Sequence, residues 1–428
     1  GRQGEHEVEI RSIVLERGIE TGFSPDIEQE AQNIKKNFNL EVELPSRRDF
    51  RGVPTFTIDP EDAKDFDDAL SIKTLSNGNY EIGVHIADVS HFVREGSKLD
   101  KESKERNFSV YLVDRTIPML PEVLSNDLCS LNANEDKLAF SAVFEMTQDA
   151  EIKKSWFGKT IINSTRRFSY EQAQEVLDKK AGDYFAELDT LNMLAHILRK
   201  KKFDKGAIAF ESDEVKFVLD EKGRPVKIIK KVRGDTHFLI EDFMLLANRE
   251  VAAFVYNKIK EKGKGFFIYR IHDLPNPEKL EDLSLFVRAL GFEFDLTDKP
   301  VSAKDINLLL QKIEGSDQEG LIRTAAIRSM AKAIYSIKNT GHFGLAFKHY
   351  THFTSPIRRY PDLLVHRLLE MFLQNKDIKQ DNVIQYEKMA MKASEKEIEV
   401  AGAERESIKF KQAEYMSERI GQVFEGII

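Results

Sequence analysis

A mixed α+β fold is predicted from the order of the patterns along the chain. From Pro54 to about Lys154 short strand-like runs dominate, and beyond Ser169 long helical patterns take over; strands and helices grouped in this way read as α+β. A further observation is Asn77-Gly78, set between the apolar runs 69–75 and 80–87. That is a tight hairpin signal, so the first sheet strands are expected to be antiparallel neighbours.

Taken in order, residues 1 to about 45 read as a lead-in, with a strand-like Val8-Glu9-Ile10 and a helical pattern from Ser24-Pro25 through Ile34. The core begins near Pro54. Pro118 and Pro121 mark an ordered loop between Tyr111 and Leu128, and a polar helix is expected from Ser169 to about Lys202. A second hairpin is expected where Val215 to Leu219 and Val226 to Val232 alternate around Glu221-Lys222-Gly223. Leu239 to Ile259 is apolar on nearly every side and closed by Gly263, as for a buried core helix. Asn276-Pro277 opens another helix, Gly320 to Ile337 reads as one long amphipathic helix, and a charged helix runs from Val383 to about Ile420. Residues 422–428 resemble the first strand of a further unit, so the chain reads as a piece of a longer protein.

At 428 residues the chain allows about three domains at ~150 residues each, or one large core with appendages. With 41% hydrophobic and 32% charged residues it can bury a substantial core. No run approaches the ~18 apolar residues of a membrane span. One cysteine, Cys129, excludes a disulfide framework and a cysteine-rich zinc site; it reads as a small buried hydrophobe in a protein of the reducing cytoplasm. A net charge of -8 argues against a general nucleic-acid binder, yet between Ile322 and Leu368 eight basic residues stand against Asp362 alone.

Chemistry concentrates in Ile58-Asp59-Pro60-Glu61-Asp62-Ala63-Lys64-Asp65-Phe66-Asp67-Asp68, where five aspartates and a glutamate crowd beside apolar anchors. Such crowding is unfavourable without a cation. Carboxylates suit Mg2+, Mn2+ or Ca2+. An EF-hand fails, because counting from Asp59 puts Lys64 at the glycine position and Leu70 at the bidentate glutamate position. An extended backbone would send Asp65 and Asp67 to one face and Asp68 to the other; a kinked loop would gather them.

These acids, together with Ile86-Ala87-Asp88-Val89-Ser90, Ile117-Pro118-Met119-Leu120-Pro121, Ile240-Glu241-Asp242-Phe243-Met244-Leu245-Leu246-Ala247-Asn248 and Thr354-Ser355-Pro356-Ile357-Arg358-Arg359-Tyr360, resemble the catalytic (RNB) domain of the ribonuclease II/ribonuclease R family, most of all its bacterial ribonuclease R members. The resemblance covers residues 45 to 420. It implies an α+β domain with a mostly antiparallel curved sheet, surrounded by helices, and a narrow RNA channel ending at the aspartates. It also implies a hydrolytic, processive 3′-to-5′ exoribonuclease that degrades single-stranded RNA with a free 3′ end to nucleoside 5′-monophosphates, using Mg2+ with Mn2+ as an alternative. Residues 1–44 would end a cold-shock-like region and its linker, and 421–428 would begin an S1 domain. A monomer is expected.

Carried over position by position, the resemblance makes Asp59, Asp65, Asp67 and Asp68 the metal and catalytic acids and leaves Asp62 a bystander. Tyr111 would clamp the 3′-terminal nucleotide, Phe210 would stack on the last bases, Glu241 would lie near the terminal nucleotide, Arg358 would meet the scissile phosphate and Glu404 would line the RNA path. Asp67, flanked by Asp65 and Asp68, is expected to limit catalysis most. Pro361, as a first helical residue, would add backbone N–H groups aimed at the same phosphate as Arg358. Arg359 reads equally as a surface arginine, and Glu404 equally as a helix-surface acid. His342, His349 and His352 read as polar loop or RNA-facing residues rather than zinc ligands. The competing class is a non-catalytic RNA-binding scaffold of the same fold; intact clustered acids, which repel phosphate unless metal is present, argue against it.

Overall fold

The structure is a computed structural model that describes residues 6–209, 215–221, 223–294, 296, 301–376, 378 and 382–424. Nine strands precede the main helical half: β1 (Arg48–Asp49), β2 (Thr55–Asp59), β3 (Asp68–Thr74), β4 (Tyr80–Ala87), β5 (Val110–Tyr111), β6 (Thr116–Ile117), β7 (Asp136–Met146), β8 (Ile152–Asn163) and β9 (Arg166–Ser169). Seven of them form one open sheet in the order β1-β8-β7-β4-β3-β2-β9, while β5 and β6 pair separately. Neighbours run antiparallel except for β1 with β8 and β2 with β9. The β3–β4 hairpin closes where expected: Gly78 takes φ +81° and the Leu75 N–H donates to the Asn79 carbonyl at 2.8 Å. A left-handed residue in so short a loop calls for glycine.

β4 and β7 are buried along nearly their whole length, because helices cover the sheet. The helix Asp235–Lys262 packs on β4 and the helix Tyr360–Leu373 on β8. Leu239, Phe243, Leu246, Val251 and Val255 of the first, and Leu363, Leu364, Leu368 and Phe372 of the second, enter one continuous core. Three helices, Pro277–Ala289, Ala303–Ile313 and Glu319–Ser329, hold a smaller core of their own around Leu283, Val287, Ile306, Leu310 and Ile322. No helix among the described residues is long and apolar enough to cross a membrane.

Several elements differ from expectation. Val8-Glu9-Ile10 lies in a helix, His6–Glu16, whose buried Ile10, Ile13 and Val14 follow helical spacing; three residues are too few to separate a period of two from 3.6. The segment after Ser169 is two helices, Tyr170–Lys179 and Phe185–Asp204, broken where Lys180 turns left-handed ahead of Gly182. The helix expected to reach Ile337 stops at Ser329, and Ile334–Ser336 is a strand paired with Tyr269–Ile271, placing Tyr335 in the core. The proline-marked loop contains the β5–β6 hairpin and a turn of π-helix at Val123–Leu128. Residues 422–424 form no strand, and 425–428 lie outside the described residues.

Candidate active site

Asp59 ends β2 and Asp68 begins β3, two neighbouring strands of the sheet, so loop 60–67 leaves and re-enters the same sheet end. The loop is fastened from three sides. Arg167 Nη2 donates to the carbonyls of Pro60 (3.0 Å) and Glu61 (2.5 Å). The Phe66 N–H donates to Ser130 Oγ (2.9 Å), and the Leu131 N–H to the Phe66 carbonyl (3.0 Å). The Ala87 N–H donates to the Asp67 carbonyl (2.8 Å). Phe66 is buried as the loop's apolar anchor, while Asp62 is exposed. The kinked alternative is thus the one observed, and strand alternation does not apply at 65–67.

All four aspartates have pKa values raised above the ordinary carboxylate range. For Asp67, burial is the largest cause; the charges of Asp65 and Asp68 add to it, while the Arg358 charge and the Ile357 N–H oppose it. For Asp68, burial comes first and the charge of Asp59 next; for Asp59, burial comes first, with Asp67 and Asp65 contributing. Asp65 is raised by burial, against the Tyr111 hydroxyl and Arg358, which favour its ionised form. Asp59 Oδ2 and Asp67 Oδ2 are buried without a hydrogen-bond partner. Anionic groups so placed are strained toward neutrality or toward a cation.

Arg358 stands opposite, on the turn before the helix Tyr360–Leu373. Its Nε lies 3.4 Å from Asp67 Oδ2, and its Nη2 donates to Ser355 Oγ at 2.9 Å. Nη1 has no protein partner among the described residues, and the side chain is 42% exposed. Three amides ahead of Pro361 are engaged within the protein: Ile357 N–H donates to Asp67 Oδ1 (2.9 Å), Arg359 N–H to the Ser355 carbonyl (3.0 Å) and Tyr360 N–H to the Asn107 carbonyl (2.8 Å). The helix itself opens at Tyr360, one residue before Pro361. Arg359 is no surface residue either; it is paired with the fully buried Asp362 at 2.8 Å.

Tyr111 lies on β5 with its hydroxyl beside Asp65, and its N–H donates to Glu404 Oε1 at 3.0 Å. Glu404, on the helix Val383–Ser417, has its pKa raised by burial and is within reach of the Arg358 charge; it lies beside Tyr111 and near Arg358 rather than on a remote surface. Glu241 is paired with Arg233 and lies 3.6 Å from Lys202. Phe210 lies outside the described residues. His352 bonds to the Tyr335 hydroxyl at 2.8 Å, His342 lies edge-on to Tyr350 and His349 stacks on Tyr256, all three half-buried. Cys129 is buried, as expected.

Sequence reasoning missed Tyr170. Its hydroxyl is held well above its usual range, first by burial and then by the charges of Asp68 and Asp59, and its ring stacks on His237 at 4.0 Å. The capping box of Ser169 and Gln172 that starts its helix is legible in the chain. The β2–β9 pairing that sets Ser169 against Asp59 is long-range and is not. A cavity of about 1030 Å3 opens elsewhere, lined by Lys205, His272, Asp273, Lys304 and Lys348 among others; it includes none of Asp59, Asp65, Asp67 and Asp68, and size alone does not mark the chemistry.

Among the described residues no three His, Cys, Asp or Glu side chains converge closely enough to hold an ion unaided. An all-oxygen donor set that includes two buried oxygens without a hydrogen bond, Asp59 Oδ2 and Asp67 Oδ2, nevertheless fits a hard divalent cation that completes its shell with water and substrate phosphate.

The fold and these motifs define the class. The RNB domain family model matches residues 47–375, and the chain belongs to that family. Among its relatives, it is 40% identical to Ribonuclease R 1 of Lactococcus lactis over the whole chain and 53% of that protein. It is 38% identical to Ribonuclease R of Aquifex aeolicus, again over the whole chain and 61% of the relative. Mycoplasma genitalium RNase R in complex with ribose methylated single-stranded RNA superposes with a TM-score of 0.91 at 31% identity, covering 99% of this chain and 66% of the other. Yeast Ssd1, a pseudonuclease, shares the fold at a TM-score of 0.76 and 22% identity, covering 94% of this chain and 50% of the other. The chain spans about half to two thirds of the length of these ribonuclease R relatives.

Proposed function

We propose that this chain is the catalytic part of a processive, hydrolytic 3′-to-5′ exoribonuclease, acting on single-stranded RNA with a free 3′ end and releasing nucleoside 5′-monophosphates. The observation that supports it best is the set of four mutually repelling aspartates beside Arg358, Asp67 buried and the others half-buried, all with raised pKa values. Asp59, Asp65, Asp67 and Asp68 would hold Mg2+, with Mn2+ as an alternative. When bound, the cation supplies an activated water and stabilises charge on the phosphoryl oxygens. Arg358 brings a permanently charged planar fork to a phosphate oxygen that gains charge in the transition state. Tyr111 and Phe210 would stack on terminal bases at ~1–3 kcal/mol each, indifferent to sequence. Glu241 and Glu404 would line the path of the RNA through a narrow channel. Residues 1–44 would end a cold-shock-like region and linker, and 421–428 begin an S1 domain; the full-length protein is expected to be a cytoplasmic monomer.

A scaffold of the same fold is the second reading, kept in view by the pseudonuclease likeness. Its weakness is the intact aspartate set, which an RNA binder has no use for. The deciding experiment incubates the chain with 5′-labelled single-stranded RNA in Mg2+, with and without EDTA, beside Asp67→Asn. A metal-dependent collapse to one short 5′ fragment, abolished by the substitution, is expected. Intact RNA with binding retained would favour the scaffold.

A further inference from the structure

Arg358 is carried by a five-residue turn, Ser355 to Arg359, closed by the Arg359 N–H to the Ser355 carbonyl (3.0 Å). A long, half-exposed arginine on a turn has no fixed aim of its own. Its neighbours supply one. Asp362 is completely buried, and its Oδ1 accepts from the Ser355 N–H and from Arg359 Nη2, both at 2.8 Å. Those donors are the first and last residues of the turn, so one carboxylate oxygen ties both ends of the segment that presents Arg358. Ser355 then passes the constraint to the guanidinium, its Oγ accepting from Arg358 Nη2 at 2.9 Å. The middle of the turn is referenced to the acid site itself, through Ile357 N–H to Asp67 Oδ1.

An acid in the first turn of a helix usually serves that helix, through its dipole or its free amides. The side-chain bonds of Asp362 run the other way, back to the turn. Its position in the helix Tyr360–Leu373 makes it a rigid anchor, since that helix is buried along Leu363, Leu364, Leu368 and Leu369. The β5 side adds a second fixed edge, where the Ser109 N–H donates to the Arg358 carbonyl at 3.0 Å.

We infer that Asp362 is a positioning residue for Arg358, acting through Ser355 and Arg359. This rests on the reading of Arg358 as the arginine that meets the scissile phosphate. Asp362→Asn keeps an acceptor for the Ser355 N–H and weakens the hold on Arg359. The test measures kcat, KM and the unfolding midpoint for Asp362→Asn, Ser355→Ala, Arg358→Ala and the two double variants containing Arg358→Ala, on a 5′-labelled oligoribonucleotide. Misaiming a transition-state contact by about 1 Å costs up to ~100-fold, so kcat should fall roughly 10- to 100-fold in Asp362→Asn with KM little changed. In the Arg358→Ala background the same substitution should change kcat by less than about twofold, because residues acting through one group are not additive. Equal losses in both backgrounds would overturn the inference and leave Asp362 a support of the fold. Should Asp362→Asn fail to fold, Ser355→Ala, which removes only the hydroxyl, decides by the same comparison. Full activity of Arg358→Ala alone would remove the phosphate role and this inference with it, whereas loss in Arg358→Ala with additive doubles would overturn only the inference.

Discussion

The acid loop 59–68 and the basic stretch 322–368 are both dense in one charge along the sequence, and the fold treats them in opposite ways. In the basic stretch, Arg359 pairs with Asp362, Arg367 with Asp100 and Arg323 with Glu319, while Arg328, Lys332, Lys338 and Lys348 are exposed. Only Arg358 is held half-exposed against unbalanced acids. In the acid loop, four carboxylates share the influence of Arg358 and Arg167 and keep raised pKa values. Charge that builds the fold is paired or solvated. Charge held buried and unbalanced is reserved for a ligand.

The largest effect should come from the acid side. Asp67→Asn is expected to lower turnover on the order of 1000-fold, the loss of several kcal/mol of charge stabilisation, while a filter-binding assay shows RNA affinity retained; wild-type turnover would sink the assignment. On the basic side, Arg359→Met leaves Asp362 buried and unpaired. Denaturant unfolding should show a loss of about 3–5 kcal/mol, and a change under 1 kcal/mol would mean the pair is not the internal brace described.

Arg358→Lys sits between the two regions. A lysine keeps the charge but not the planar fork, so kcat should drop on the order of 100-fold with the unfolding midpoint nearly unchanged; a lower midpoint without loss of kcat would class Arg358 with the structural arginines. The smallest effect is that of pH. An acid with a raised folded-state pKa contributes stability below its unfolded value and loses it as pH climbs through the folded one. Asp59 and Asp68 are pushed up to about 7 and about 8. The metal-free protein should therefore melt at lower temperature as pH rises from the ordinary carboxylate range up to about 8, and Mg2+ should restore the midpoint by favouring the ionised forms. A midpoint that rises with pH in EDTA would contradict this.

Much of the fold was legible. The Asn77-Gly78 hairpin, the Asn276-Pro277 helix start and the Gly263 helix stop are local signals, and each is found where the chain places it. Segments misread were those where a tertiary partner decides. Ile334 to Ser336 is a strand because Tyr269–Ile271 lies beside it, and Val8 to Ile10 is helical because Ile10 and Val14 meet the core. The acid motif was legible as chemistry. That Tyr170 faces Asp59 and Asp68, and that Ile357 ties the turn to Asp67, depend on contacts between residues far apart in the chain, which no local pattern encodes.

The central claim, that the acid loop holds charge against the stability of the fold, is tested most directly by the unfolding midpoints of the wild-type chain and Asp67→Asn in EDTA at a pH above 8. Asn keeps an oxygen for the Ile357 N–H, and burial outweighs the favourable Arg358 charge at this position, so the variant should melt at the higher temperature, with Mg2+ narrowing or reversing the difference. A variant that melts lower in EDTA would show Asp67 to be a structural carboxylate and contradict the account.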